Sequence, residues 1–546
     1  TLCSRRLSLF HATARGTHAM LSLFTFYLTA VAVLHDADAA RILGLFPHTG
    51  KSHQMVFDPL LRRLAEKGHH VTVVSFFPVK NPPANYTDVS LEGIASPGVE
   101  VIDLSYYENP SQILRLLGLE KLFMQILDFQ PLADLALDVC SKLVKFQPLA
   151  DALKKEYDVI LVENFNSDCM LGLAHVYGVK APIIGLLSSS LMQWCPDRIG
   201  VSYNPSYVPL VTADYTSKMT FSQRVENTLM NEYYKLWYRH SIQVKEQAMI
   251  EKQFERKIPD LQDLGKNITM MLVNVYHSLN GVRPLLPGIV EVGGMHLDHS
   301  RKSVPPMFER FLNESDHGVI LLSFGSLIKT ATLPKYKEQI IVRALSKLKQ
   351  RVIWKYEDSP DEGKLEGNIL KVRWIPQYEL LQHPKVIAFV GHGGLLGMTE
   401  AISAGKPMLV VPFFGDQPLN GAQATEVGLG KAISYAELTE KSLFEGLQYV
   451  LSADMRASAR RASKMWHDRQ NNPLDTAVFW TERVIRWGHT DPLHSVARDM
   501  PFYQRALLDV IATVLIVLLI LIAILRVIFL QAFRIFYGGN VKEKLH

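Results

Sequence analysis

The sequence predicts an α/β protein of two halves with a cleft between them, followed by one C-terminal transmembrane helix. Three observations predict this. Residues 41–76 read as strand, helix and strand. A second α/β series opens at residue 318. Residues 510–530 form a long apolar run in which Arg526 is the only charge. At 546 residues the chain has length for two domains of ordinary size. Its net charge of +5 is small for that length, and the basic residues are scattered, which argues against a nucleic-acid partner.

The elements follow in order. Residues 1–19 read as an upstream extension, with Met20 as the expected start. Residues 20–39 have the shape of a secretory signal peptide: an apolar stretch too short to span a bilayer, ending at Ala37-Asp38-Ala39. Residues 40–285 are expected to form the first domain. "RILGLF" (41–46) is a buried strand, and Val56, Phe57, Leu60, Leu61 and Leu64 recur at helical spacing before Gly68. "HHVTVVSF", "YDVILVE", "APIIGL" and "ITMMLVNV" continue as strands, with mostly helical sequence over 215–265. A Gly- and Pro-rich stretch near 281–294 marks the passage to a second domain at 286–488. That domain has strands at 318–326, 351–357 and 368–377, a helix at 335–349 and helical sequence over 455–488. Residues 489–509 are juxtamembrane. The 510–530 run, at about 1.5 Å per residue, crosses about 30 Å of hydrocarbon.

Arg526, Arg534, Lys542 and Lys544 place the 531–546 tail in the cytosol by the positive-inside rule. The expected topology is type I, with the body in a lumen. Lys542 and Lys544 resemble a dilysine retrieval signal, and the sequons at Asn85, Asn267 and Asn313 fit a lumenal body. The expected location is the endoplasmic reticulum membrane. Cys140, Cys169 and Cys195 stand at wide spacing and predict neither a disulfide framework nor a metal site.

The chemistry is expected where "VIAFVG" turns at Gly393-Gly394 into a helix over 395–404. Residues without Cβ let a ligand approach the backbone, and the helix N-terminus presents free amides to an anion. His392 stands beside that anion site. The turn reads as a phosphate or diphosphate cradle, although a plain α/β turn has the same outline. Glu400 on the helix can bond ribose hydroxyls, and Asp416-Gln417 can read adjacent sugar hydroxyls. Trp374 could stack on a base with Gln377 nearby, and Ser326 could reach the phosphates. Together these describe a nucleotide-sugar site. A dinucleotide fingerprint fails here, because the third glycine of Gly391, Gly393 and Gly397 falls one residue late.

At these residues the sequence resembles the UDP-glycosyltransferases, glycosyltransferase family one, in their animal membrane-bound, arthropod-like branch. The resemblance rests on "WIPQ…HGGLLGMTEAISAGKPMLVVPFFGDQPLNGAQ", from Trp374 to Gln423. It extends to "SHQMVFDPLLRRLAEKGHHVTVV", "NPSYVP", "VILLSFGS" and the membrane anchor. It implies two Rossmann-like domains of GT-B type, the first binding an acceptor and the second a UDP-sugar. It further implies inverting, metal-independent transfer with no cofactor. UDP-glucose is favoured over UDP-glucuronate, and the acceptor is a small lipophilic hydroxyl compound, as in detoxification or metabolite conjugation. His53 matches the catalytic base. The acid that orients it falls on Asp168, with Glu163 as the alternative. Gly391 and Leu396 depart from the family pattern, which leaves room for a non-catalytic binding protein or scaffold of the same fold. A homo-oligomer is compatible with the sequence.

Overall fold

The computed structural model describes residues 39–98, 101–105, 120–297 and 303–538. The upstream extension, all but the last residue of the signal peptide, and the dilysine pair lie outside them.

Two seven-stranded sheets organise the chain. The first domain contributes β1 (Arg41–Phe46), β2 (His70–Ser75), β3 (Tyr86–Ser90), β5 (Val159–Glu163), β6 (Ile183–Leu187), β7 (Ile268–Val273) and β8 (Ile289–Glu291). All pairings are parallel, in the order β3-β2-β1-β5-β6-β7-β8. The second contains β9 (Val319–Ser323), β11 (Arg351–Lys355), β12 (Lys364–Glu366), β13 (Ile369–Val372), β14 (Val386–Gly391), β15 (Met408–Val410) and β16 (Gly430–Ala432), in the order β12-β13-β11-β9-β14-β15-β16. Among the described residues only the β12 edge is antiparallel. Between the sheets, β4 (Ile102–Asp103) pairs with β10 (Ile328–Lys329) and ties one domain to the other.

Each sheet winds outward in both directions from a central strand pair, β1/β5 in the first and β9/β14 in the second. β5 and β9 are buried along their whole length, the pattern of parallel strands covered on both faces. The helix Asp58–Glu66 covers one face of the first sheet with Leu60, Leu61 and Leu64, and Gly68 follows it at φ +99°. Crevices in such sheets open at the carboxyl ends of the strands where winding reverses. Both switch points here carry predicted site residues.

Three boundaries differ from the sequence-based expectation. The first sheet runs past residue 285, because β8 adds to β7. The helical stretch at 455–488 is two helices, Ala453–His467 and Pro473–Trp487; Asn472 caps the second by accepting from the Leu474 N–H. That second helix leaves its own domain. Ala477, Val478 and Val484 join the core that contains Leu60, Leu61 and Leu64, and Glu482 pairs with Lys67 at 2.6 Å. The apolar stripe of a single helix thus staples the end of the second domain onto the first.

The C-terminal helix, Leu508–Gly538, is longer than the apolar run predicts. Within Leu508–Tyr537 an 18-residue stretch has a mean hydropathy of 3.2, and none of that stretch is buried by the rest of the protein. It is long and apolar enough to cross a membrane. The expectation for cysteine is corrected. Cys140 and Cys169 form a disulfide between helix Gln130–Leu143 and the start of helix Cys169–Val176, while Cys195 is free and buried. Spacing could not reveal this pair, since 29 residues separate partners brought together only by packing. Closing a loop of that length stabilises by about 3–4 kcal/mol in the chain-entropy picture. Cys140→Ala is therefore expected to lower unfolding stability by roughly that amount. Peptide mapping without reductant should recover the 140–169 cross-link.

Candidate active site

The first centre lies at the β1/β5 switch point. β1 ends at Phe46 and the chain turns through Pro47–Gly50 into a short helix, Lys51–Met55, which carries His53. Parallel pairing sets β5 beside β1, so that Glu163, the last residue of β5, arrives at the same end. His53 Nδ1 lies 2.7 Å from Glu163 Oε1 and 2.8 Å from Ser188 Oγ. A carboxylate on Nδ1 keeps the proton there and leaves the Nε2 lone pair free. The His48 ring stacks on His53 with centroids 3.9 Å apart, and the Phe165 edge closes on both rings. Gly50 makes the stack possible, because a Cβ there would lie 2.8 Å from the His48 ring, and its N–H donates to His48 Nδ1.

Burial sets the charge states. It lowers His53 to about 4, and lowers His48 to about 3 with help from the neighbouring His53. It raises Glu163 to about 7, against the opposing pull of His48. His53 is thus a neutral imidazole at physiological pH, the form that can accept a proton.

Glu163, not Asp168, stands against His53. Asp168 is fully buried five residues further on, at the start of helix Cys169–Val176, where Arg198 grips it through both guanidinium nitrogens at 2.8 and 2.7 Å. Its oxygens are committed to that ion pair and to Asn164 and Gln243.

The second centre lies at the β9/β14 switch point. His392 follows β14, and Gly394 caps the helix Leu395–Ser403. The imidazole is wedged between two glycine turns. A Cβ on Gly325 would lie 2.8 Å from its Cε1, and one on Gly394 would collide with its Nε2. Ser326 sits in the turn beside Gly325. Burial, then the charge of Lys355, lowers His392 to about 4, so this ring too is neutral. Lys355 is buried and paired with Glu357 at 2.7 Å.

Glu400 accepts from Gln377 Nε2 at 2.5 Å, which joins the residue expected at the ribose to the one expected near the base, and burial raises it to about 7. Trp374 stands 59% exposed, with the Lys355 ammonium 5.8 Å from its ring centroid. Asp416 accepts from Asn420, whose amide also donates to the Gly393 carbonyl at 2.9 Å. The Asp416 loop is thereby tied to the Gly393-Gly394 turn, and Gly393 at φ +88° leaves no room for a Cβ against the Gln417 carbonyl. Gln417 is less available than expected. Its side-chain oxygen accepts the N–H groups of Phe413 and Phe414. Gly391 has a packing reason, because a Cβ would press on the Phe389 ring at 3.0 Å. Leu395 is buried in the first domain's core cluster, which turns the donor helix toward the first centre.

Sequence reasoning missed Ser188, His48, Phe165, Asn420 and Lys355. The signal for Ser188 was its place just beyond a strand end, shared with many inert serines. His48, His53 and Glu163 offer ligand atoms within 4.8 Å of one another. Within this trio His53 Nδ1 and Glu163 bond each other and His48 Nδ1 accepts from Gly50, while His48 Nε2 is buried with no hydrogen-bond partner.

Two parallel sheets with sites at facing switch points define the class, a two-domain GT-B glycosyltransferase. Solved structures share the architecture. Arabidopsis thaliana UGT89C1 complexed with UDP-L-rhamnose aligns with a TM-score of 0.52 at 15% identity, over 82% of this chain and 99% of that one. A single-residue variant of Os79 from O. sativa, in complex with UDP, aligns at 0.52 and 16% identity, over 81% and 99%. The family described as UDP-glucoronosyl and UDP-glucosyl transferase matches residues 43–543, and the chain belongs to it. Among its relatives, UDP-glycosyltransferase UGT5 of Dactylopius coccus is 35% identical over 92% of this chain and 94% of its own length. UDP-glucuronosyltransferase 2B1 of Rattus norvegicus is 30% identical over 86% and 89%. The protein is a UDP-glycosyltransferase with a UDP-sugar as donor.

The paired histidine and acid generate a pH prediction. For His53 to act as a base beside a charged partner, His53 must be neutral and Glu163 ionised, and burial raises Glu163 to about 7. Turnover should rise with pH through that range rather than through the usual carboxylate range. Glu163→Gln should abolish that limb and lower kcat, read from initial rates between about pH 5 and 9.

Proposed function

We propose that the protein transfers glucose, with inversion, from UDP-glucose to the hydroxyl of a small lipophilic acceptor. The observation that carries this reading is the His53–Glu163 pair, with its free Nε2, on the first domain opposite the His392–Gly394 turn of the second. His53 Nε2 takes the acceptor's proton as the oxygen attacks the anomeric carbon from the face opposite UDP. Glu163 stabilises the imidazolium that forms. The departing diphosphate meets the amides at the N-terminus of helix Leu395–Ser403 and the His392 N–H. Ser326 lies within the same turn system. Charge on the leaving group is answered by protein dipoles, so the reaction runs without a metal ion. Trp374 stacks on the uracil, Glu400 with Gln377 binds the ribose, and Asp416 with Gln417 reads the sugar.

Glucose is favoured by similarity to UDP-glucosyltransferase 2 of Dactylopius coccus, 29% identical over 94% of this chain and 97% of that one. Detoxification or metabolite conjugation is the role that fits a lipophilic acceptor and a membrane-attached enzyme. We place the enzyme in the endoplasmic reticulum membrane as a type I protein with a lumenal body. The exposed sequon asparagines Asn85, Asn267 and Asn313 and the Cys140–Cys169 disulfide support that compartment.

Membranes bearing the enzyme should release UDP from UDP-glucose only when a phenolic acceptor is present. His53→Ala should lower that rate by at least about 10²-fold. UDP release that survives in His53→Ala would remove His53 as base, and faster release from UDP-glucuronate would overturn the glucose assignment. Chelation with EDTA is expected to leave the rate unchanged; a loss restored by added divalent cation would contradict the metal-free mechanism.

A further inference from the structure

Asp168, displaced from the reaction centre, belongs to a buried polar cluster that the chemistry above does not use. Arg198, on the short helix Pro196–Ile199, donates to both Asp168 oxygens and to Asn164 Oδ1 at 2.6 Å. Asn164 donates to Asp168 at 3.1 Å, and Gln243 donates to it at 2.8 Å. Glu246 accepts from Ser167 Oγ at 2.5 Å and from the Asp168 N–H at 2.9 Å. Asn164, Asp168, Arg198, Gln243 and Glu246 are each at most 4% exposed. Gln243 closes a π-helical turn, Arg239–Gln243, spliced between two α-helices, an irregularity that often marks functional positions.

The cluster grips one short segment. Residues 164–168 link Glu163 to helix Cys169–Val176, and every one of them is fastened. Asn164 and Asp168 are held by Arg198, the Phe165 carbonyl by Trp194 at 3.1 Å, Asn166 by the Leu132 carbonyl and Ser167 by Glu246. The Cys140–Cys169 disulfide fastens the next residue. This is the segment that delivers Glu163 to His53 Nδ1 and Phe165 to the His53 ring. Burying an ion pair such as Asp168–Arg198 is a costly way to gain stability, since apolar side chains of similar volume often do as well. What such a cluster provides is one geometry for the segment it holds.

We propose that the Asp168–Arg198 fork, with Asn164, Gln243 and Glu246, is a positioning device that holds the Glu163–Phe165 segment so that Glu163 fixes the tautomer of His53. Asp168 and Arg198 are positioning residues and do not touch substrate. The link to turnover rests on His53 as base, and the test separates the two claims.

The test compares full-length enzyme in detergent with Asp168→Asn and with the double variant Asp168→Leu/Arg198→Met. The double variant removes both charges together and avoids leaving one buried and unpaired. Its melting temperature should lie close to that of the wild type. The first readout is the His53 imidazole, followed by 15N-histidine NMR and assigned with His53→Gln. The wild type should show the Nδ1-protonated tautomer alone, and the folded double variant a mixture of both. The second readout is turnover. The kcat should fall by about 10²-fold, as for a catalytic group displaced by about an ångström, with KM for the UDP-sugar unchanged. An unaltered tautomer in the folded double variant overturns the proposal. Mixed tautomers with unaltered kcat uphold the positioning of His53 and remove its role as base.

Discussion

Parallel pairing of β1 with β5 is the constraint on which the first centre depends. The register sets Leu45 opposite Val162, so the two strands end nearly level. Winding proceeds one way from β1 and the other way from β5. The chain leaving each end therefore turns away from its neighbour and opens a crevice between them. The short helix with His53 fills one lip and Glu163 the other. Neither strand end is free to move, because both strands are buried by helices on each face. The hydrogen bond at 2.7 Å is thus a product of sheet topology before it is a matter of side-chain choice.

The second sheet repeats the device for the opposite electrical purpose. At its switch point stand glycines where the first centre has side chains, and the imidazole of His392 occupies the space they leave. Burial keeps both site histidines neutral, His53 at about 4 and His392 at about 4. Their roles differ through their neighbours. A carboxylate holds the His53 proton on Nδ1 and frees a lone pair to accept another. His392 has Lys355 and a helix N-terminus about it, surroundings that favour negative charge arriving from a ligand. One fold element, used twice, yields two neutral imidazoles in opposite electrostatic surroundings.

Much of this was legible in the sequence, for physical reasons. Alternating strand and helix periodicity revealed both halves. Gly393-Gly394 before a helix marked the second turn, because close approach to backbone admits few other residues. His53 was singled out through its motif, since a lone histidine in a loop carries little signal. The acid beside His53 was expected at Asp168, with Glu163 as the alternative, because residue type was followed; it is Glu163 that makes the contact, because backbone position decides. A strand's last residue is fixed by its sheet, whereas five residues further on the chain has already turned away. The disulfide, the Ser188 contact and the return of helix Pro473–Trp487 all join segments distant in the chain, and local pattern has no access to them.

The two centres must also be held in register with each other, and the contacts that achieve this converge on the reacting ends. Gly98 donates to the Thr49 carbonyl, next to Gly50 and the stacked histidines. A few residues on, β4 pairs with β10, just beyond the Ser326 turn, and the Leu104 N–H donates to Thr332. A single excursion from the first domain therefore touches the loop before His53 at one end and the strand after the Ser326 turn at the other. Across the cleft, Asn280 exchanges hydrogen bonds with Gln423, on the helix that Gln417 opens, and helix Pro473–Trp487 closes the far side. Sugar transfer between two substrates needs the reacting atoms aligned to within a fraction of an ångström. With the His53 centre on one domain and the His392 centre on the other, that alignment is a property of the domain interface. The contacts across it matter as much as the side chains within either centre.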